Sequence, residues 1–297
     1  MAITLFTNSS AMSASNALQK ANSTLATAME HLGTGKRITK ASDDAAGLQV
    51  ATRLQGQTNG MAVAQRNIAD ASTMLQTGEG AMDEVSNIMY RMKDLATQGA
   101  TDTNTADSRK AIDTEMDSLK TELNSIMGNT SYAGNKLFSD TKDASGTVTS
   151  KAKMGAEMTF QTGSESGETT KVDVSTQLSN VFSSINTLST ASVQDSADGK
   201  TSGTTNANAL IDTLNTALDN VSSLRSSFGA SINGLSHASA NLTNMKDNTD
   251  QALGNIQDAD FASEASKMTR SQMLAQTSTS MLKQSNSMSS LVMSILG

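Results

Sequence analysis

Apolar residues recur every seven positions near both ends of this chain, and no proline interrupts them. Near the N-terminus, Leu18, Leu25 and Leu32 share one heptad position. Near the C-terminus, the same spacing joins Leu274, Met281, Met288 and Ile295. Such repeats are typical of helices that pack against other helices along a narrow seam. Because proline ends or kinks helices, its absence from all 297 residues predicts that these helices are long and unbroken.

The middle of the chain carries further heptads. The longest runs from Leu54 to Ala96 and predicts one extended helix. A second helix is predicted over 112–126 and a third over 211–242, each with an apolar face. These helices are expected to form a bundle along their length.

The segment between about 140 and 205 has a different pattern. Apolar and polar residues alternate around Met158 and Phe160 and again around Val172 and Val174, with a Gly/Ser/Glu turn between them. This pattern predicts a β-hairpin. The flanking stretches 140–150 and 190–206 are rich in Ser, Thr, Asp and Gly and are predicted to be loops.

The predicted fold class is mainly α, an elongated helical bundle or coiled coil with paired terminal helices and a small β-hairpin insert. Three parts are expected. Segments 1–45 and 255–297 supply the terminal helices, and segments 46–140 and 205–254 form a central bundle. Residues 141–204 form the hairpin and a short variable loop region.

The short stretch 36–51, KRITKASDDAAGLQVA, places three basic residues before a hydroxyl and two carboxylates. Ser42 is predicted to cap the long helix, with Asp43 and Asp44 in its first turn, where carboxylates favour the positive end of the helix dipole. Adjacent carboxylates in a first turn point to different sides and suit acid–base catalysis poorly. The stretch is therefore interpreted as a joint between helices.

The remaining composition argues against several functions. A net charge of −7 disfavours nucleic-acid binding, and no apolar run is long enough to span a membrane. The C-terminal heptad could also belong to a helix that lies on a membrane surface. The polar face of that helix, however, carries Ser, Thr, Asn and Gln rather than Lys and Arg. His31 and His237 are the only histidines and lack a second ligand at metal spacing. No catalytic residue, cofactor or metal site is predicted.

Four stretches resemble the bacterial flagellin family, in the family's order. The stretch LGTGKRITKASDDAAGLQVA (32–51) is similar to its N-terminal signature, and residues 255–297 are similar to its C-terminal one. Residues 222–244 and 158–174 also resemble their flagellin counterparts. The likeness covers nearly the whole chain. It departs from the family at Ser289 and Ser290, where Pro-Gln is common, and at Thr39, where Asn is usual.

This resemblance implies a non-enzymatic subunit that polymerises with itself into the extracellular flagellar filament. The paired terminal helices would form the inner coiled-coil domain and drive polymerisation through the two terminal heptads. The resemblance also implies export through the flagellar type III apparatus. The partners it implies are an export chaperone and the cap and hook-associated proteins, with no nucleic acid and no membrane.

The resemblance further implies recognition by host innate immune receptors. By position, Arg91 and Leu95 in MYRMKDLATQ (89–98) would be the main anchors, with Glu115 on the neighbouring helix. The alternative is that this charged face is simply solvated.

Two other functions remain open from the sequence. A hook–filament junction protein would share terminal helices of this kind, although greater divergence from the terminal motifs is expected. A signalling coiled-coil rod belongs to another class, and the predicted hairpin and missing membrane span weigh against it.

Overall fold

The computed structural model describes residues 8–139, 141–142, 148–150, 152–194 and 202–296, with side chains at 141–142, 148–150 and 288–296 left undescribed. Within these residues the chain is mainly helical, as predicted. The helices are α1 (Ser9–Thr34), α2 (Ala45–Gly99), α3 (Ala106–Asn129), α4 (Ser175–Ser189), α5 (Gly203–Gln257) and α6 (Phe261–Leu296). The strands are β1 (Ser131–Tyr132), β2 (Asn135–Lys136), β3 (Thr141–Lys142), β4 (Val148–Ser150), β5 (Met158–Gln161) and β6 (Thr169–Val172), with a 3₁₀ turn at Lys153–Gly155.

The fold divides into two compact units. Residues up to Thr58 and from Asp247 onward form the first, here called the terminal unit. Residues Asn59–Lys246 form the second, here called the central unit. Helices α2 and α5 each contribute residues to both units, so the chain enters and leaves the central unit through helix.

The central unit is built on the predicted heptads. Along α2, every seventh residue from Met61 to Ala96 is at most 3% exposed, and α5 buries Leu214, Val221, Phe228 and Leu235 completely. Helix α3 adds Ile112, Met116 and Leu123 to the same core. Methionine fills much of this interior, where its flexible thioether can adapt to irregular gaps. Large apolar side chains at helical spacing therefore give this unit its own hydrophobic core.

The predicted β-hairpin is confirmed. Strands β5 and β6 pair antiparallel, with Met158 opposite Val172 and Gln161 opposite Thr169. Asn67 of α2 donates a hydrogen bond to the Gln161 carbonyl oxygen at 3.3 Å, which attaches the hairpin to the bundle. At Gly60 an added Cβ would lie 2.8 Å from Ser164 Cβ, so only glycine admits this close approach of the hairpin turn.

Helix α4 was not predicted from the sequence. Its buried residues are spaced three or four apart, at Leu178, Val181, Ile185 and Leu188. The spacing is that of an amphipathic helix, but the Ser, Thr and Asn residues between these positions favour turns and obscured it. The segment 175–189 is therefore a core helix within the stretch expected to hold only the hairpin and loops.

Two buried charged residues fix the connections around α3. Arg109, 7% exposed, donates to Thr204 Oγ1 at 3.0 Å and to the carbonyl oxygens of Gly99 and Thr101. Asp113, also 7% exposed, accepts from the Val193 amide and from the Gln194 side chain at 2.7 Å. Buried charges need such partners, and here the partners lie at the end of α2 and just after it, in the segment after α4, and at the start of α5.

The joint at 36–51 is real, but its helix cap was wrongly placed at Ser42. Helix α2 begins at Ala45, and Asp44 Oδ1 accepts from the Gly47 amide at 2.9 Å, so Asp44 is the cap. Asp43 lies outside the helix and accepts from the amides of Thr39 and Lys40, which closes the preceding turn. The amides of Thr39 and Lys40 need a hydrogen-bond acceptor, and Asp43 supplies it. Asp43 therefore belongs to the turn and not to the helix.

The joint also contacts the α5–α6 connection. Lys36 and Asp258 form an antiparallel bridge, and the Arg37 amide donates to the Gln257 carbonyl oxygen at 2.7 Å. The Arg37 guanidinium donates to the Ile256 carbonyl oxygen at 2.9 Å. Ile38, 2% exposed, is buried at this point. Two distant parts of the sequence are thus held together where the terminal helices begin and end.

Replacing Phe228 by alanine should destabilise the central unit strongly. Phe228 is 0% exposed, so its removal leaves a cavity, and we expect the free energy of unfolding to fall by about 3–5 kcal/mol. Phe261→Ala is the matched control, because Phe261 is 58% exposed. Urea unfolding of the unassembled chain measures both variants, and equal effects would contradict this assignment of the core.

Candidate polymerisation surface

Helices α1 and α6 form an antiparallel pair, which confirms the predicted pairing of the terminal helices. At one end, Asn8 Nδ2 donates to Ser285 Oγ at 2.8 Å, while Asn8 Oδ1 caps α1 through the Ala11 amide. At the other end, His31 Nδ1 lies 3.6 Å from Glu264 Oε1. These two contacts fix the register of the pair.

The α1 side of the seam is lined by alanine. Ala14, Ala21 and Ala28 are 6%, 5% and 1% exposed, whereas the predicted seam residues Leu18, Leu25 and Leu32 are half-buried. Small side chains allow two helices to approach closely, and the leucines then cover the flank of the contact. The heptad was correctly identified, but its alanines rather than its leucines lie at the centre.

The α6 side of the seam differs from the prediction. Glu264, Ser271 and Ser278, also spaced by seven, are 5%, 4% and 7% exposed and face the pair. Leu274 and Met281 are 52% and 59% exposed, so they do not close the seam with α1. The sequence contains both heptads, three residues out of phase, and close packing against alanine selects the one with small residues.

For Met288 and Ile295, the last two predicted seam residues, only the backbone is described. Helix α6 continues to Leu296, so the backbone of Met288 and Ile295 is helical. Their side chains lie outside the described residues. Their role in polymerisation stays a prediction from the spacing.

A buried acidic group lies inside the pair. Lys267 Nζ donates to Glu264 Oε1 at 2.7 Å, and this contact, together with the nearby His31, holds the pKa of Glu264 below its ordinary value although burial opposes the shift. His31 Nδ1 is buried and has no hydrogen-bond partner among the residues that the structure describes. The carboxylate is therefore stabilised mainly from its own helix.

Among the described side chains, most of the large apolar ones that are exposed belong to the terminal unit. Leu274, Met281 and Met273 lie within about one third of the α6 circumference at ~100° per residue. The large apolar side chains that are exposed in this unit are Met12, Met29, Val50, Phe261, Met273, Leu274 and Met281, whereas the central unit exposes Val63, Tyr90 and Met245. Grouped apolar exposure of this kind marks an interaction surface.

The three residues expected to contact immune receptors are all in the central unit. Arg91 Nη2 of α2 donates to Glu115 Oε1 of α3 at 2.6 Å, and these side chains are 55% and 46% exposed. Leu95 is only 2% exposed and packs into the core. The structure thus brings Arg91 and Glu115 together on the surface and places Leu95 beneath them.

Neither metal binding nor membrane insertion finds support in the described part of the chain. No group of three or more His, Cys, Asp or Glu residues there could hold a metal ion. None of the helices in that part combines the length and hydropathy needed to cross a membrane.

Comparisons with known proteins match both the N-terminal and the C-terminal helical regions of this chain. The model for the bacterial flagellin N-terminal helical region matches residues 5–143, and the model for the C-terminal helical region matches residues 211–296. Flagellin A of Vibrio anguillarum and polar flagellin B/D of Vibrio parahaemolyticus serotype O3:K6 (strain RIMD 2210633) are each 32% identical, over 100% of this chain and 100% of the relative. A solved flagellar hook-associated protein from Vibrio parahaemolyticus shares the fold, with a TM-score of 0.55, 20% identity and coverage of 73% of this chain and 100% of that one.

The fold and its exposed terminal pair define a structural, self-assembling helical protein rather than an enzyme. The chain belongs to the bacterial flagellin family. It is accordingly a filament subunit that polymerises with copies of itself, and its place is the extracellular flagellar filament. Alignments of 381 and 378 positions exceed its 297 residues, so these relatives carry insertions that it lacks.

Replacing the Glu264 carboxylate by a neutral amide should destabilise the α1–α6 pair at neutral pH and less at acidic pH. Because the folded-state pKa of Glu264 is depressed below 4.5, its stabilising contribution is present above that value and is lost as the pH falls through the folded-state pKa. Glu264→Gln should therefore lower the melting temperature by a few degrees near pH ~7, and the difference should shrink as the pH falls toward ~3.

Thermal melting of helix, followed by circular dichroism at both pH values, makes this measurement. Glu122→Gln is the control, because Glu122 is exposed on α3 in the other unit. A Glu264→Gln deficit of the same size at both pH values would contradict a contribution from the ionised carboxylate.

Proposed function

We propose that the outer face of α6 makes the contacts between subunits in the filament. The observation that carries this proposal is the exposure of Leu274 and Met281, which lie on α6 beside the face that is already closed against α1. An isolated helix pair with such a surface leaves apolar area in water, and a neighbouring subunit would remove it. Met288 and Ile295 continue the same heptad and belong to the proposed surface by spacing.

The α1 leucines have a related role in this proposal. Leu18, Leu25 and Leu32 are half-buried in the single chain, so each keeps apolar area that a neighbour can cover. The pair itself is joined by alanine and serine, which bury little area per residue. Polymer contacts would therefore supply much of the stability of the terminal helices.

We also propose the three-part organisation of the subunit within the filament. The terminal helices, 1–45 and 255–297, would form the inner domain because they carry the assembly surface. Segments 46–140 and 205–254 would form the bundle domain, supported by the independent core of the central unit. Segment 141–204 would supply the hairpin and the short variable loop region.

Export through the flagellar type III apparatus is proposed from the same features. No cysteine is present, so no disulfide must be broken, and no proline is present, so refolding outside needs no slow prolyl isomerisation. An export chaperone would cover the apolar face of α6 before export. The cap and hook-associated proteins would meet the same terminal helices at the ends of the filament.

Recognition by innate immune receptors is proposed through the Arg91–Glu115 pair. Both side chains are about half exposed and are held side by side by their ion pair, which leaves guanidinium donors and carboxylate acceptors available. Leu95 would act from within the core by supporting the helix surface rather than as an exposed anchor. The plain alternative is a solvated ion pair with no partner.

Replacing Leu274 by serine should prevent efficient filament growth. Seeded elongation of purified full-length chains, followed by electron microscopy and sedimentation, compares the variant with Leu274→Met, which keeps an apolar side chain. We expect elongation to fall at least about tenfold for serine and to stay near normal for methionine, because a single buried apolar side chain contributes roughly 1.5–3 kcal/mol. Normal growth of both variants would show that Leu274 is not part of the assembly surface. Failure of the unmodified chain to elongate seeds would instead favour a junction role.

Replacing Arg91 by alanine should sharply reduce receptor signalling. A reporter-cell dose response with monomeric protein is the measurement, and Arg66→Ala is the control, because Arg66 is an exposed arginine on the same helix. We expect the half-maximal dose to rise at least about tenfold for Arg91→Ala, as for loss of a charged interface contact of ~2 kcal/mol or more. An unchanged dose response would leave only the solvated-face interpretation.

A further inference from the structure

Most of the described methionines are either buried or exposed, and Met268 is half-buried. The interior ones belong to the central unit, where Met82, Met89, Met92, Met116 and Met154 are completely buried. Four others are exposed on the terminal helix pair and are here called the pair methionines. They are Met12, Met29, Met273 and Met281, with exposures of 61%, 50%, 57% and 59%.

The pair methionines are chemically different from the leucine and valine that could fill the same surface. A thioether in contact with water reacts with hydroperoxides, whereas an aliphatic side chain does not. The sulfur attacks one peroxide oxygen, the O–O bond breaks, and the departing hydroxide takes the proton from the new S–OH group and leaves as water. The sulfur is oxidised to the sulfoxide and the peroxide is reduced, so no further reactant is needed.

The product changes the property on which assembly depends. A sulfoxide is polar and chiral, so its burial at an apolar contact would require a hydrogen-bond partner that the unmodified contact does not provide. Met273 and Met281 lie beside Leu274 on the outer face of α6, and Met12 and Met29 lie on α1 of the same pair. Oxidation at Met273 and Met281 therefore falls on the face of α6 proposed for polymerisation, and oxidation at Met12 and Met29 falls on the other helix of the same pair.

We propose that the pair methionines are a peroxide-sensitive modification site that controls whether an unassembled subunit can enter the filament. The site is open in the free chain and becomes covered once the subunit is incorporated. Reduction by the two epimer-specific methionine sulfoxide reductases would restore the subunit. This inference rests on the filament role and on the proposed assembly surface.

Partial oxidation followed by seeded growth tests the inference without any variant. Full-length monomers are treated with hydrogen peroxide until each exposed methionine is partly oxidised, and are then added to seeds. Filaments are sedimented, and peptide mass spectrometry measures sulfoxide at each methionine in the pellet and in the supernatant. We expect sulfoxide at the pair methionines to be depleted at least about tenfold in the pellet.

Met245 provides the internal control. It is 42% exposed but lies in the central unit, so its sulfoxide should be distributed evenly between pellet and supernatant. Treatment of the supernatant with both reductases should return its subunits to the pellet. Equal sulfoxide levels at the pair methionines in the two fractions would overturn the inference.

The filament role has a separate readout in the same experiment. Untreated monomers that fail to elongate the seeds would contradict filament formation itself. A chain with all four pair methionines replaced by leucine should elongate seeds at the same rate before and after peroxide treatment, whatever its rate before treatment. Loss of elongation on treatment of this variant, at the same peroxide dose, would place the sensitive methionine elsewhere and also overturn the inference.

Discussion

The close contact between α1 and α6 is the constraint on which the terminal unit depends. Alanines on α1 and Ser271 and Ser278 on α6 bring the two backbones together, but these small side chains bury little apolar area. The larger residues Leu274 and Met281 lie three positions from Ser271 and Ser278, on the flank of this contact, and stay more than half exposed. A seam made of small residues therefore leaves the apolar side chains beside it exposed to solvent.

The central unit, in contrast, is held together by large buried apolar side chains. Its helices meet through methionine, leucine and phenylalanine at heptad spacing, and Phe228 and Met89 are completely buried. Arg109 and Asp113 use their buried charges to hold the connections of α3, so this part of the fold closes without help from another chain. Among the described residues, the terminal unit exposes more large apolar side chains than the central unit, and assembly is therefore expected to concentrate there.

Periodicity predicted the helices and the core of the central unit because only one strong heptad runs along each of those segments. It could not assign the seam of α6, where the Ser271 and Leu274 heptads have the same period and differ only in phase. The choice depends on which residues fit against alanine, and this is a property of the partner helix. The burial of Leu95 was likewise not predicted, because a motif shows sequence position but not which side of the helix is buried. Its role in receptor recognition stays a prediction. Asp44 could not be identified as the helix cap from the sequence, because that requires knowing that Asp43 closes the preceding turn.

Helix α6 carries two interleaved heptads, one of which is occupied within the chain. In the proposed assembly the other one would be covered by a neighbouring subunit. An outer heptad made of β-branched or aromatic residues would offer more rigid contacts, but it would also make the free chain more prone to aggregation. Methionine combines apolar area with flexible packing, so it can fit more than one neighbouring surface. The cost of that adaptability is a thioether exposed to solvent before assembly, and reactivity toward peroxide therefore follows from the same choice that makes the surface adaptable.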